Sequence, residues 1–185
     1  MNIFPHILNR GLAHVMRFSS TPQHFTESVA EHSFYTAYIA SLLCDLVEQK
    51  QIAVNRERAV AMALIHDTEE MFSGDILNPF KHYSNELKET IQKVNREVVP
   101  LVFENLPESM QEKYIALWNE ESRGESMESQ VVKVADRLSL LSKCAEEVKV
   151  GNGFFTHIYE SHLKQLTEYN ASWWQKIKEQ VLPET

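Results

Sequence analysis

The chain has 185 residues and a formal charge of −8, from 18 Lys and Arg against 26 Asp and Glu; a length near the roughly 150 residues of an average domain predicts a single domain over 1–185. The acidic balance excludes a broad nucleic-acid-binding face, which needs clustered cations, and leaves room for a small anionic ligand held by a metal and a few well-placed basic side chains. No run approaches the about 20 apolar residues of a membrane span, the start Met1-Asn2-Ile3-Phe4-Pro5-His6 lacks a secretory pattern, and only 5 Gly and 6 Pro disfavour a turn-rich β fold, so the expectation is a cytoplasmic, all-α protein.

Pro5 suits a first helical turn, and Ile7/Leu8, Leu12 and Val15/Met16 predict a helix to about Phe18, ended by Ser19-Ser20-Thr21-Pro22. Ser28-Val29-Ala30-Glu31 has the spacing of a capping box. Behind it Val29, His32, Tyr35/Thr36, Ile39, Leu42/Leu43 and Leu46 recur at three and four residues, predicting a buried amphipathic helix to about Gln49. Asn55 caps a third helix carrying Ala59, Met62/Ala63, Ile65/His66, Glu69/Glu70 and Phe72, and Gly74 stops it. Gly74 to His82, with Pro79 inside, reads as a loop. Ser84 starts a long helix that Pro100 should kink or break, and Pro107 opens a short one ending near Asn119.

Arg123-Gly124-Glu125 reads as a connector, and the acidic run Glu120-Glu121 to Glu128 as solvated. From Ser126 to Val150 the apolar period is clear in Val131/Val132, Val134/Ala135, Leu138, Leu141 and Ala145, closed by Gly151-Asn152-Gly153. A further helix covers about Phe154 to Tyr169, and Asn170 caps a last one that packs Trp173 and Trp174 on the bundle or a partner. No repeat, linker or strand pair is visible. The expected architecture is one helical bundle or orthogonal array, with Cys44 and Cys144 as reduced core thiols.

Chemistry concentrates in four residues on three of these helices: His32, the adjacent pair His66-Asp67, and Asp136. Asp occurs only at 45, 67, 75 and 136, and Asp136 adjoins the apolar seam of its helix, where a buried carboxylate costs several kcal/mol unless paired or metal-bound. Asp136 has a plainer alternative as an ion-pair partner of Arg137 or Arg17 at a helix edge, and His32 taken alone reads as a core histidine. Together, two imidazoles and two carboxylates on rigid helices suit one divalent transition ion of the Mn, Fe, Co or Ni kind. The remaining histidines, at 6, 14, 24, 82, 157 and 162, show no spacing for a second metal.

The order His … His-Asp … Asp resembles the HD-domain superfamily of metal-dependent phosphohydrolases. Ser28-Val29-Ala30-Glu31-His32-Ser33, the run from His66-Asp67-Thr68-Glu69-Glu70 through Gly74-Asp75 to Asn78-Pro79-Phe80-Lys81, and Val134-Ala135-Asp136-Arg137-Leu138 are similar to the bacterial HD-domain 5′-deoxynucleotidases (YfbR-like). The similarity runs from Asn9-Arg10 to about Gly153. It implies an all-α homodimer, with one HD domain per chain, that hydrolyses deoxyribonucleoside 5′-monophosphates to deoxynucleoside and phosphate with one divalent transition metal. His32, His66, Asp67 and Asp136 are then the metal ligands, Glu70 the essential acidic residue, and Arg17, Phe18, Asp75 and Lys81 the residues bordering substrate. Two positions depart from the family pattern: its Trp after the arginine is Phe18 here, and Phe18 to Phe25 shows little similarity.

Phosphate-monoester hydrolysis needs charge neutralisation and a nucleophile. Glu70 could orient the attacking water as base or protonate the departing 5′-oxygen as acid. Arg17 can grip phosphate with two parallel hydrogen bonds, while Lys81 reads equally as a phosphate contact or a solvated cation. Glu69, two residues from Asp67, should point elsewhere. Two other readings share the residues: an HD phosphohydrolase for a different nucleotide or small phosphate ester, and a non-catalytic HD scaffold, which the intact set of four ligands and Glu70 disfavours.

Overall fold

The helices begin where the sequence supplies a cap. In the computed structural model, which describes residues 2–183 and so leaves the ends of the expected 1–185 domain outside the described residues, the first helical turn α1 spans Phe4–Ile7 and the long helix α2 spans Val29–Gln49. Both halves of the Ser28/Glu31 capping box are present. Asn55 accepts from the Arg58 amide at the start of α3, Arg56–Ile65. The chain continues through α4 (Glu70–Ser73), α5 (Asn78–Lys81), α6 (Asn85–Val102), α7 (Glu108–Arg123), α8 (Met127–Lys149), α9 (Thr156–Glu168) and α10 (Ser172–Gln175). Ser84 and Ser126 cap α6 and α8 through their side chains. The fold is all-α; among the described residues the β pairing is one isolated antiparallel bridge, Met16 to Ser28.

α2, α3 and α8 pack against one another, with α7 on α3 and α8, and α9 along α8. Their shared core holds Leu43, Met62, Val131, Leu138, Leu166 and Trp174. A second cluster, Val99, Val102, Phe103, Leu106 and Trp118, joins α6 to α7. Cys44 and Cys144 are free and buried, and burial raises their thiols to about 11 and about 12.

Several elements differ from expectation. The helix predicted to Phe18 ends after Ile7. Asn9 Oδ1 takes the Gly11 amide at 3.0 Å, a local bond that competes with helix, and a Cβ on Gly11 would stand 2.8 Å from Met71 Sδ. Beyond a 3₁₀ turn at Gly11–Ala13, Val15 and Arg17 exchange backbone bonds with Val29 and Glu27 at 2.9 Å. The third helix does not reach Phe72: it stops at Ile65, where Thr68 Oγ1 and the Thr68 amide both bond the Ile65 carbonyl.

The expected loop from Gly74 to His82 contains the single turn α5, with Pro79 in its first turn. Pro100 does not break α6, which continues to Val102; the bond its ring removes is the one to the carbonyl of Arg96, on the exposed side. α7 outruns Asn119 to Arg123 because Gly124, at φ +69°, satisfies the last carbonyls from the left-handed region. The acidic connector is not simply solvated: Glu121 is buried and paired with Lys133 at 3.1 Å. At the C-terminal end Asn170 is not the cap of α10; Ala171 occupies that position without a side-chain bond. Trp173 and Trp174 are buried there, their indoles donating to Gln130 and to the Leu166 carbonyl.

Candidate functional site

His32 enters in the first turn of α2, fixed by the Ser28 cap, and its side chain is fully buried. α8 meets both its nitrogens: Ser139 Oγ lies 3.0 Å from Nδ1 and Asp136 Oδ1 3.0 Å from Nε2. The turn after α3 supplies His66 and Asp67. Nδ1 of His66 donates to the Ala63 carbonyl at 2.8 Å, which leaves Nε2 as the nitrogen with a free lone pair in the neutral ring. That atom is buried with no hydrogen-bond partner and lies 3.0 Å from Asp67 Oδ2. Asp67 Oδ2 is also 3.7 Å from His32 Nε2.

Donor atoms of His32, His66 and Asp67 therefore lie within 4.8 Å of one another. Asp136 stands outside that group of three and reaches it through His32; its side chain is 43% exposed, so this flank is open to solvent. Neither Arg17 nor Arg137 takes Asp136 into an ion pair; the Arg137 guanidinium lies 5.9 Å from the Tyr169 ring centre.

The electrostatics are those of two buried imidazoles set against two partly exposed carboxylates. Burial opposes the His66 imidazolium, but Asp67, with help from Asp136, raises it to about 10. Desolvation works against Asp67 and Asp136 as anions; His66 and His32 hold Asp67 well below the carboxylate range, and the His32 bond brings Asp136 to about 2. Two imidazoles and two ionised carboxylates, one nitrogen orphaned, fit a divalent cation bound through N and O, with Ser139 and the Ala63 carbonyl orienting the rings from behind.

Glu70 begins α4 and is buried. Burial and the neighbouring Asp67 push it up to about 8 against the pull of Lys81, whose Nζ lies 3.1 Å from Oε1; Oε2 has no partner. Lys81 is thus paired through Glu70 and is not a freely solvated cation. Glu69 turns away, as expected, to accept from Trp118 Nε1 at 2.8 Å and Asn95 Nδ2 at 3.3 Å.

Arg17 follows the Met16–Ser28 bridge with its side chain 11% exposed and its Nη1 on Glu27 Oε2 at 2.5 Å. Burial opposes the charge, but Glu27, Asp136 and Asp67 together raise its pKa. Phe18 is held at φ +54°, with its amide on Asp75 Oδ2 at 3.2 Å and its ring edge-on to Phe155 at 5.1 Å. Asp75 is thereby a backbone anchor for Phe18. Sequence reasoning missed Ser139, Glu27 and the buried pair of Lys143 and Glu147. Ser139 had a visible signal, since it lies one helical turn from Asp136; Glu27 and Glu147 had none.

A family model for YfbR-like 5′-deoxynucleotidases matches residues 4–185. The chain belongs to this family. A 5′-deoxynucleotidase of Pectobacterium atrosepticum is 34% identical over 132 residues, 71% of this chain and 66% of that protein. One from Erwinia tasmaniensis is 35% identical over 132 residues, 70% and 66%. The match thus spans just under two thirds of these relatives' length. The crystal structure of an HD-domain phosphohydrolase from Listeria innocua superposes with a TM-score of 0.82 at 26% identity, covering 98% of this chain and 88% of that one. YfbR-like membership and an HD phosphohydrolase fold agree with the donor cluster between α2, the α3–α4 turn and α8.

Proposed function

We propose that this YfbR-like protein is a metal-dependent phosphomonoesterase that hydrolyses deoxyribonucleoside 5′-monophosphates to deoxynucleoside and phosphate, with His32, His66, Asp67 and Asp136 holding one divalent transition ion. The observation that carries the reading is the convergence of His32, His66 and Asp67 donors within 4.8 Å in a member of this family, with an unpartnered buried nitrogen among them. The 5′-deoxynucleotidase names of the relatives support the substrate class. When bound, the ion supplies positive charge for a phosphoryl oxygen and lowers the pKa of water toward neutrality.

The remaining work falls to the chain's own side chains. Arg17 presents a planar, permanently charged fork to the other phosphoryl oxygens, held in place by Glu27. Glu70, pushed up to about 8, retains a proton near neutral pH. It delivers that proton to the 5′-oxygen as the P–O bond breaks and water adds to phosphorus, so the sugar leaves as an alcohol. Lys81 keeps Glu70 aimed. Phe18 closes the sugar side, where an apolar ring offers nothing to a 2′-hydroxyl.

We read the chain as one HD domain that works as a homodimer in the cytoplasm. The apolar, exposed Phe34, Tyr35, Tyr38 and Leu42 on α2 support self-association. No helix among the described residues is long and apolar enough to cross a membrane. The deciding experiment measures phosphate release with Mn²⁺ and Co²⁺ across deoxy- and ribonucleoside mono- and triphosphates. Release from deoxynucleoside monophosphates is expected; a metal-loaded protein that hydrolyses no monophosphate would overturn the assignment.

A further inference from the structure

At the C-terminal end of α8, Glu147 is fully buried, yet it is ionised and saturated with donors. Oε1 accepts from the Phe25 amide at 2.9 Å and Lys143 Nζ at 2.7 Å; Oε2 accepts from the His24 amide at 2.9 Å and Asn152 Nδ2 at 2.8 Å. Asn152 also donates to the Pro22 carbonyl at 2.9 Å, and Lys143 to the Phe25 carbonyl. Three neighbouring side chains thus grip the backbone of three residues more than a hundred positions away. A Lys–Glu pair at this spacing would serve a helix equally well on its surface. Buried, it carries a desolvation cost that only a complete set of bonds offsets.

The gripped turn has little else to hold it. His24, Phe25 and Thr26 are exposed, and the segment joins Arg17 and Phe18 at one end to Glu27 at the other. Phe18 sits in the left-handed region, uphill for a residue with a Cβ. The Arg17 guanidinium lies 5.4 Å from the centre of the Phe18 ring, which itself rests on Phe155 beside Lys143. Gln23 Nε2 ties the crown of the turn back to the Arg17 carbonyl at 2.9 Å. A displacement at His24–Phe25 is therefore passed to both residues through short covalent and hydrogen-bonded paths.

We infer that Glu147 is a positioning residue: by gripping the backbone of His24 and Phe25 it fixes the turn between Phe18 and Glu27, and so sets Arg17 and Phe18 for phosphate and sugar. The inference rests on the proposed function for the roles of Arg17 and Phe18, but the anchoring itself does not. It extends the substrate-side machinery to a residue that lies further along α8 from Asp136 and bonds the segment before α2 instead of the donor cluster.

The test compares the wild type with Glu147→Gln and with Lys143→Met/Glu147→Gln, the second removing both buried charges so that neither is left unpaired. Amide hydrogen exchange of residues 18–27, metal content, kcat and KM for a deoxynucleoside monophosphate, and the dissociation constant of inorganic phosphate are measured on the metal-loaded protein. Both variants should expose the His24 and Phe25 amides to faster exchange and raise KM and the phosphate dissociation constant about tenfold, with kcat within about twofold and metal content unchanged. The preference for deoxy- over ribonucleotides should fall in parallel. Unchanged exchange in the turn, or faster exchange with unchanged KM and phosphate affinity, would overturn the inference; so would loss of kcat and metal at constant KM. A wild type that hydrolyses no nucleotide would defeat the proposed function, while exchange and phosphate affinity would still judge the role of Glu147.

Discussion

The donor cluster and the Arg17–Phe18 side of the site are held by different forces. His32, His66 and Asp136 project from α2, the end of α3 and α8, three helices that share the main core, so close packing sets their positions. Arg17, Phe18, Asp75 and Lys81 lie on short segments outside that core, held by a few polar bonds that include Arg17 to Glu27, Phe18 to Asp75 and Lys81 to Glu70. The first region should lose function when a donor is removed and keep its shape. The second should keep its chemistry and lose its aim.

The largest effect is expected in the donor cluster. Asp67→Ala should bring phosphate release below detection and strip the bound metal, while the helical circular dichroism stays near wild type. Turnover by a metal-free Asp67→Ala preparation would remove the ligand assignment. Next comes Glu70→Ala, which stands between the regions. Metal content and nucleotide binding should survive, and kcat should fall about a hundredfold or more, the usual cost of losing a general acid or base. Loss of metal in step with activity would instead make Glu70 a ligand.

A smaller effect separates the regions by pH. Burial works against ionised Glu147, but the His24 amide, Lys143, the Phe25 amide and Asn152 bring it to about 2, against an ordinary 4.5. A carboxyl depressed on folding stabilises the fold above its unfolded value and loses that contribution as pH falls through the folded one. Glu147→Gln should accordingly lower Tm at neutral pH, and the gap to wild type should narrow between about pH 4.5 and about pH 2. A gap that stays constant across this range would mean that the charge does not matter.

The smallest effect concerns the sugar. An apolar surface that merely refuses one hydroxyl discriminates by about a hundredfold at most, so Phe18→Ala should weaken, without reversing, a preference for deoxynucleotides, with base tolerance unchanged. Equal kcat/KM for matched ribo- and deoxyribonucleotides in the wild type would show that Phe18 excludes nothing.

The two regions also differed in how far the sequence disclosed them. Ser28 and Glu31 announce α2 and put His32 in its first turn; Asn55 and Ser126 do the same for the helices bearing the other donors. Capping and apolar period are local properties, read within a few residues. The segment from Pro5 to Phe18 had the same apolar period, yet its α-helix ends at Ile7, because Asn9 captures the Gly11 amide and Val15 and Arg17 pair with residues beyond Ser19. The break after Ile65 was equally hidden. Neighbours on a continuous helix point about 100° apart, and only the turn at Thr68 lets His66 and Asp67 meet.

The sequence by itself determined an all-α chain, the start of its main helices, and a set of imidazole and carboxylate donors suited to one divalent ion, since these follow from side-chain chemistry and short-range spacing. Tertiary structure alone decided which charges face each other. The pairing of Arg17 with Glu27, of Lys81 with Glu70 and of Glu147 with the His24–Phe25 backbone joins residues from different elements. So did the raised pKa of Glu70, because desolvation and the field of a neighbouring carboxylate exist only once packing has excluded water.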